Sequence, residues 1–244
     1  MHIIQMVGLV FAIYFITLGF LIFYRHKINI RIGNLIFVIA DIVFFFFWNY
    51  GTFLRGGLST FMTLDNISPF TFTLIPFTYL LKDKIKDYAF CAIAFLNFGM
   101  LVAVLMSPEQ AYLFKFMEDA TLQYTAEALC HMLCALFGIY LILTDQVKTD
   151  FASWRKSLIF MYSVITFSVM LNFVFHKSFF GMDPYGGYSI YFLDIFENFF
   201  FTMLAYYLGV LIVLTVGMQV GHTLMRLLDS PKKKHAIATN DPEA

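Results

Sequence analysis

The chain has 244 residues, 60% of them hydrophobic and only 13% charged, with 16 basic side chains balancing 16 acidic ones. A soluble domain carries about 25% charged residues, so a water-facing surface of this size is excluded; the 32 phenylalanines suit lipid contact better than an aqueous core. A net charge of zero directs no field at nucleic acid or an acidic partner, and an integral membrane protein is the class that remains.

Seven apolar segments, each near the ~20 residues a bilayer core requires, are expected as helices over 3–24, 33–54, 67–81, 87–106, 120–143, 157–175 and 190–216. Their hydrophobicity is nearly continuous, whereas barrel strands alternate apolar and polar residues. The start, "MHIIQMVGLV", lacks the basic residues and short core of a cleaved signal, so the first segment is expected to stay. The second segment carries Trp48 and Asn49 near one end and Asp41 deeper. Two readings of Asp41 stay open: a pairing with Asn34, or a cation site.

The third segment, "DNISPFTFTLIPFTYLL", has Ser68 as N-cap and Pro69 as first helical residue, where no amide partner is needed. Pro76 lies inside it and frees the carbonyl of Phe72, which must be satisfied by protein or trapped water. Thr71 and Thr73 are two residues apart and point nearly opposite ways, so one of them faces any given site.

The fifth segment holds "EALCHMLC", in which Glu127 and His131 are four apart and share a face. Counted from Ala120, Glu127 lies ~10 Å and His131 ~16 Å into the span. Two ionisable groups on one buried face mark a functional site. Cys130 and Cys134 read as small buried hydrophobes, with a contribution to a metal site as the open alternative. Together with Cys91 they fall in apolar segments, which argues against a disulfide framework. The sixth segment supplies Asn172, and the seventh Asp194, Glu197 and Asn198 in its first turns.

Basic residues alternate between the connections. One side holds 13 Lys and Arg, in the clusters Arg25 to Arg31, Lys82 to Lys86, Lys148 to Lys156 and Arg226 to Lys234; the other holds Arg55, Lys115 and Lys177. The positive-inside rule then puts the N-terminus outside and the C-terminus in the cytoplasm. Residues 1–230 are expected as a single transmembrane domain. Residues 231–244 are expected as a polar, disordered tail, with the last helix ending near Pro231. The run "KKK" at 232–234 fixes topology or touches anionic lipid. Most buried polar groups converge on the outer half of the bundle, which suggests a polar pocket there.

The third and fifth segments together resemble the YwaF-like family of bacterial integral membrane proteins, similar in turn to membrane acyltransferases and androgen-induced-type lipid hydrolases. The third-helix motif of that family is Pro-x-His-x-Cys before a further proline; here it reads Pro69, Phe70, Thr71, Phe72, Thr73, then Pro76. His131 followed by "GIYLIL" matches the fifth-helix histidine, and Asn172 before "DPYGGYSIYF" is a fainter echo. The expected His and Cys are replaced by Thr71 and Thr73. The resemblance implies Thr73 as nucleophile and His131 as base, in a lipid acyl hydrolase or acyltransferase of a bacterial cytoplasmic membrane. A hydroxyl attacks only when a base takes its proton, and Asp194, Glu127 or Glu197 would orient the imidazole. Asn49, Thr71 and Asn172 would line the pocket. Membrane lipid is the expected partner, with no nucleic acid, cofactor or metal.

The rival reading is a binding or transport protein for a proton, metal or small cation, built on Glu127, His131, Asp194 and Glu197. A structural or sensory subunit without chemistry is a third. A microbial rhodopsin is excluded, because residues 190–216 contain no lysine for a Schiff base.

Overall fold

A computed structural model of the chain describes residues 3–56, 67–106, 122–176, 179–181 and 199–238. Among these the chain forms seven α-helices and no strand. They are α1 (Ile3–Tyr24), α2 (Ile30–Gly56), α3 (Ile67–Phe77), α4 (Asp83–Met106), α5 (Leu122–Leu143), α6 (Phe151–Phe175) and α7 (Phe199–Ala238), with a 3-10 turn at Phe179–Gly181.

Among the described residues four stretches are long and apolar enough to cross a membrane: Ile30–Gly51, Thr125–Leu143, Phe151–Phe175 and Phe199–Asp229. The outer surface agrees with that. Phe23 is 85% exposed, Val174 68% and Phe46 62%; water would penalise such a face, whereas lipid accepts it.

Several boundaries differ from the sequence expectation. Helix α3 spans 11 residues, about 16 Å of rise, roughly half of a ~30 Å hydrocarbon core. It ends just after Pro76, where Thr78 donates its hydroxyl to the Ile75 carbonyl at 2.6 Å and the following amides close tight turns. Helix α6 starts at Phe151 rather than 157 because Asp150 caps it, accepting the Ser153 amide at 2.8 Å. Helix α7 runs past the expected stop at Pro231 to Ala238, through Lys and Ala residues with strong helix propensity.

Helix α4 is the hub. Every residue from 89 to 98 is buried, and α7, α6 and α5 pack around it. Small side chains at Ala89, Cys91, Ala92 and Ala94 let neighbouring backbones approach. The neighbours answer with glycines: Gly217 of α7 sits against the Phe95 backbone, and Gly138 of α5 against Ala94.

The basic connections gather at one end of the bundle. Arg25, buried after α1, donates to Asp229 of α7 at 2.8 Å. Tyr140 of α5 donates to the Ile30 carbonyl at 3.0 Å. Lys156 of α6 meets Asp87 of α4 at 2.7 Å. These contacts bring together four segments that the sequence marks only by their charge, and they define what is called the basic end below.

Candidate functional site

Helix α2 buries one stripe: Asn34, Phe37, Val38, Asp41, Trp48 and Asn49. The spacing of three, four and seven keeps these on a single face, and that face packs on α5. The two helices run antiparallel, with the Phe37 ring of α2 tilted against those of Phe137 and Tyr140 (centroids 5.1 and 5.0 Å) and Trp48 near His131 (6.5 Å). The α2–α5 seam therefore has identifiable levels.

His131 lies at the centre of an aromatic cluster. The Phe72 ring meets its imidazole edge-on at 5.0 Å, Trp48 and Phe72 are 5.4 Å apart, and Phe45 closes the group at 5.8 and 6.0 Å. Nδ1 of His131 lies 2.7 Å from the Glu127 carbonyl oxygen. A carbonyl can only accept, so Nδ1 carries the hydrogen and Nε2 of the neutral ring keeps its lone pair. Nε2 is shielded from solvent. Glu127 thus orients the imidazole through its backbone, one helical turn away, and its buried side chain is not needed for that task.

Helix α3 reaches His131 through Phe72. The two threonines flank that residue, each turned about 100° from it around the helix. Thr71 is buried and Thr73 only half-buried, so the expected nucleophile is the more open of the pair.

Asp41 sits one heptad from Trp48 toward the basic end, about 10 Å along the axis. It is 0% exposed, and neither carboxylate oxygen has a hydrogen-bond partner among the described residues. Of its two sequence readings, the pairing with Asn34 does not hold. Asn34 is engaged by Gln146 of the α5–α6 connection, donating at 2.8 Å and accepting at 3.2 Å. Asp41 is absent from the site the sequence suggested; its signal was present, a carboxylate on the one buried stripe of an otherwise apolar helix.

Further from the basic end, Asn49 donates to the Phe45 carbonyl at 2.9 Å, while its Oδ1 is buried without a partner among the described residues. Thr125 Oγ1 of α5 is in the same condition. Asp41, His131, Asn49, Glu127 and Thr125 thus trace a polar seam from the middle of the bundle to the end opposite the basic one. Toward the basic end the seam is interrupted by Phe37, Phe137 and Tyr140, beyond which Asn34, Gln146 and Thr144 form a second polar group.

Asn172 is fully buried and belongs to a different device. It donates to the Phe179 carbonyl at 3.0 Å and accepts the Phe179 amide at 2.8 Å. This clamp presents Phe180 to Phe70 of α3 and Tyr206 of α7, at 5.4 and 6.3 Å. Asp194 and Glu197 lie outside the described residues. Among the described residues no three His, Cys, Asp or Glu side chains converge as metal ligands do. The three cysteines are free and buried.

A cavity of about 330 Å³ opens between α1, α2 and α5 and is lined by apolar residues such as Phe20, Phe44, Leu129 and Leu133. The chain matches no family model, no curated protein and no solved structure.

Proposed function

We propose that this chain is a multi-pass membrane protein that takes up a proton inside the bundle, in the class of proton- or cation-binding and transport proteins. The observation that carries the reading is Asp41, whose carboxylate is fully buried and has no hydrogen-bond partner among the described residues. A charge so placed costs several kcal/mol unless a positive counter-ion sits on it. No group of three His, Cys, Asp or Glu side chains converges there among the described residues, and a proton is the counter-ion that needs no further ligand. His131, its imidazole oriented by the Glu127 carbonyl, lies one level along the same seam. The polar groups of the seam continue toward the end opposite the basic one, and the Phe37–Phe137–Tyr140 layer lies across the other route.

The test is infrared difference spectroscopy on protein in liposomes, with proton uptake followed by an enclosed pH dye. A protonated-carboxyl band that vanishes in Asp41→Asn, together with loss of uptake, is the expected result. A band that persists in Asp41→Asn refutes the assignment. If sodium or a divalent ion displaces the band reversibly, the occupant is a metal cation instead.

The acyl-transfer reading draws support from the cavity beside α5, whose mainly apolar lining suits an acyl chain. It requires the Thr73 hydroxyl at His131. Labelling by a hydroxyl-directed fluorophosphonate that is lost in both Thr73→Ala and His131→Ala would replace the proton reading.

A further inference from the structure

A hollow lined by charged and apolar side chains lies at the basic end, apart from the α2–α5 seam. It measures about 690 Å³, within the range of small-molecule sites. Its walls come from the first turn of α2, the turn after α3, the first turns of α4 and the α5–α6 connection, and they include Arg31, Tyr79, Asp83, Lys86, Asp87 and Gln146.

The charges on these walls are not all available. Asp87 is held by Lys156 at 2.7 Å, so its charge is already answered. Lys86 has no carboxylate partner among the described residues; its ammonium lies 5.1 Å over the Tyr79 ring and 5.3 Å over that of Phe90. Aromatic faces hold a cation in place without neutralising it. Arg31 likewise forms no ion pair among the described residues, and its own amide is capped by the Asn29 side chain at 3.0 Å, leaving the guanidinium as its free polar group. Two cations thus stand against one unanswered carboxylate, Asp83. The mouth lies where the charged connections meet the apolar spans, the depth at which lipid headgroups sit.

We propose that this cavity binds a phosphate group, with the Arg31 fork and the Lys86 ammonium as its ligands. The guanidinium provides paired donors matched to two phosphate oxygens, and the ammonium provides a point charge. Lipid headgroups and free phosphate both offer this chemistry. Ile30 and Phe90 on the wall give a glycerol backbone an apolar rest, whereas inorganic phosphate would use the cations alone.

The test uses the full chain in detergent. Native mass spectrometry counts bound phosphatidic acid against diacylglycerol, which lacks only the phosphate, and equilibrium dialysis measures labelled inorganic phosphate. Binding of either phosphate species is expected to fall about tenfold in Arg31→Gln and in Lys86→Gln, the scale of a charge-assisted hydrogen bond. Lys82→Gln, outside the cavity wall, is expected to change nothing. Asp83→Asn is expected to tighten binding about two- to tenfold by removing a like charge, an effect that a purely structural role for the wall would not produce. Retention of phosphatidic acid but not free phosphate identifies a headgroup site, and the converse identifies a soluble anion. Equal binding of phosphatidic acid and diacylglycerol with no phosphate retained overturns the proposal, as does weaker binding in Asp83→Asn. The site is separate from Asp41, so its failure leaves the proton reading intact.

Discussion

Gly217→Ala isolates the close approach on which the bundle depends. A Cβ built on Gly217 would stand 2.7 Å from the Phe95 carbonyl carbon and 2.9 Å from its Cα, with the carbonyl oxygen nearer still. Ordinary contact begins at 3.4 Å, so α7 and α4 must part by at least 0.7 Å. The obstructing atoms are the backbone of a fully buried helix, so no side chain can rotate aside. Overpacking of this kind costs about 1–3 kcal/mol, and a rigid obstacle places it at the upper end. Helix propensity returns about 1 kcal/mol, leaving a net loss of about 2 kcal/mol. Gly209, on the same helix, has nothing within 4 Å of a built Cβ, so Gly209→Ala is expected to be neutral or slightly stabilising. Unfolding of both variants in mixed detergent micelles, followed by circular dichroism, makes the comparison. Equal midpoints for Gly217→Ala and Gly209→Ala would refute the α4–α7 packing described above.

Three further outcomes are expected. The Ser153 amide, with the charges of Lys148 and Lys156 adding to it against a smaller opposing effect of burial, holds the Asp150 carboxyl below its usual range; the contribution of the cap is therefore complete above the unfolded value of about 3.9 and is lost as pH falls through the lower folded value. Asp150→Ala should cost about 1 kcal/mol or less at this exposed cap, Asp150→Asn almost nothing, and the melting difference from wild type should shrink only in acid. Asp229→Asn leaves the buried Arg25 without its carboxylate and should cost about 1–2 kcal/mol, above an exposed pair and below a fully buried one; a double-mutant cycle with Arg25→Gln that shows no coupling would dismiss the link. Phe37→Leu trims a buried ring and should cost about 1–2 kcal/mol; by thinning the ring layer beside Asp41 it should raise proton leak into liposomes, and the leak should disappear when Asp41→Asn is added.

The sequence made the helices legible because lipid demands long apolar runs, and the buried stripe of α2 because a period of 3.6 sorts residues by face. The expected positions of α1, α2, α4 and α5 match their helices to within a few residues. The early start of α6 escaped because a cap is a single hydrogen bond, from the Ser153 amide to Asp150, and leaves no hydropathy signal. The partners of polar residues escaped for a different reason. Asn34 is seven residues from Asp41 in sequence, yet it bonds to Gln146, 112 residues away; spacing along one helix ranks neighbours on that helix and says nothing of what the next connection offers.

That limit decides how the site is read. Sequence reasoning gave weight to Glu127 and His131 because two ionisable groups share a face, and it left Asp41 undecided because a plausible partner lay one heptad away. Once Gln146 takes that partner, the relation inverts. His131 has a local hydrogen bond that settles its tautomer, while Asp41 has no hydrogen-bond partner among the described residues and lies where a bare charge is most costly. An unanswered carboxylate in such a place constrains function more tightly than an imidazole whose orientation a backbone carbonyl already fixes. On the proton reading, Phe37 toward the basic end and Trp48 toward the other are the rings that would border the route of its counter-ion.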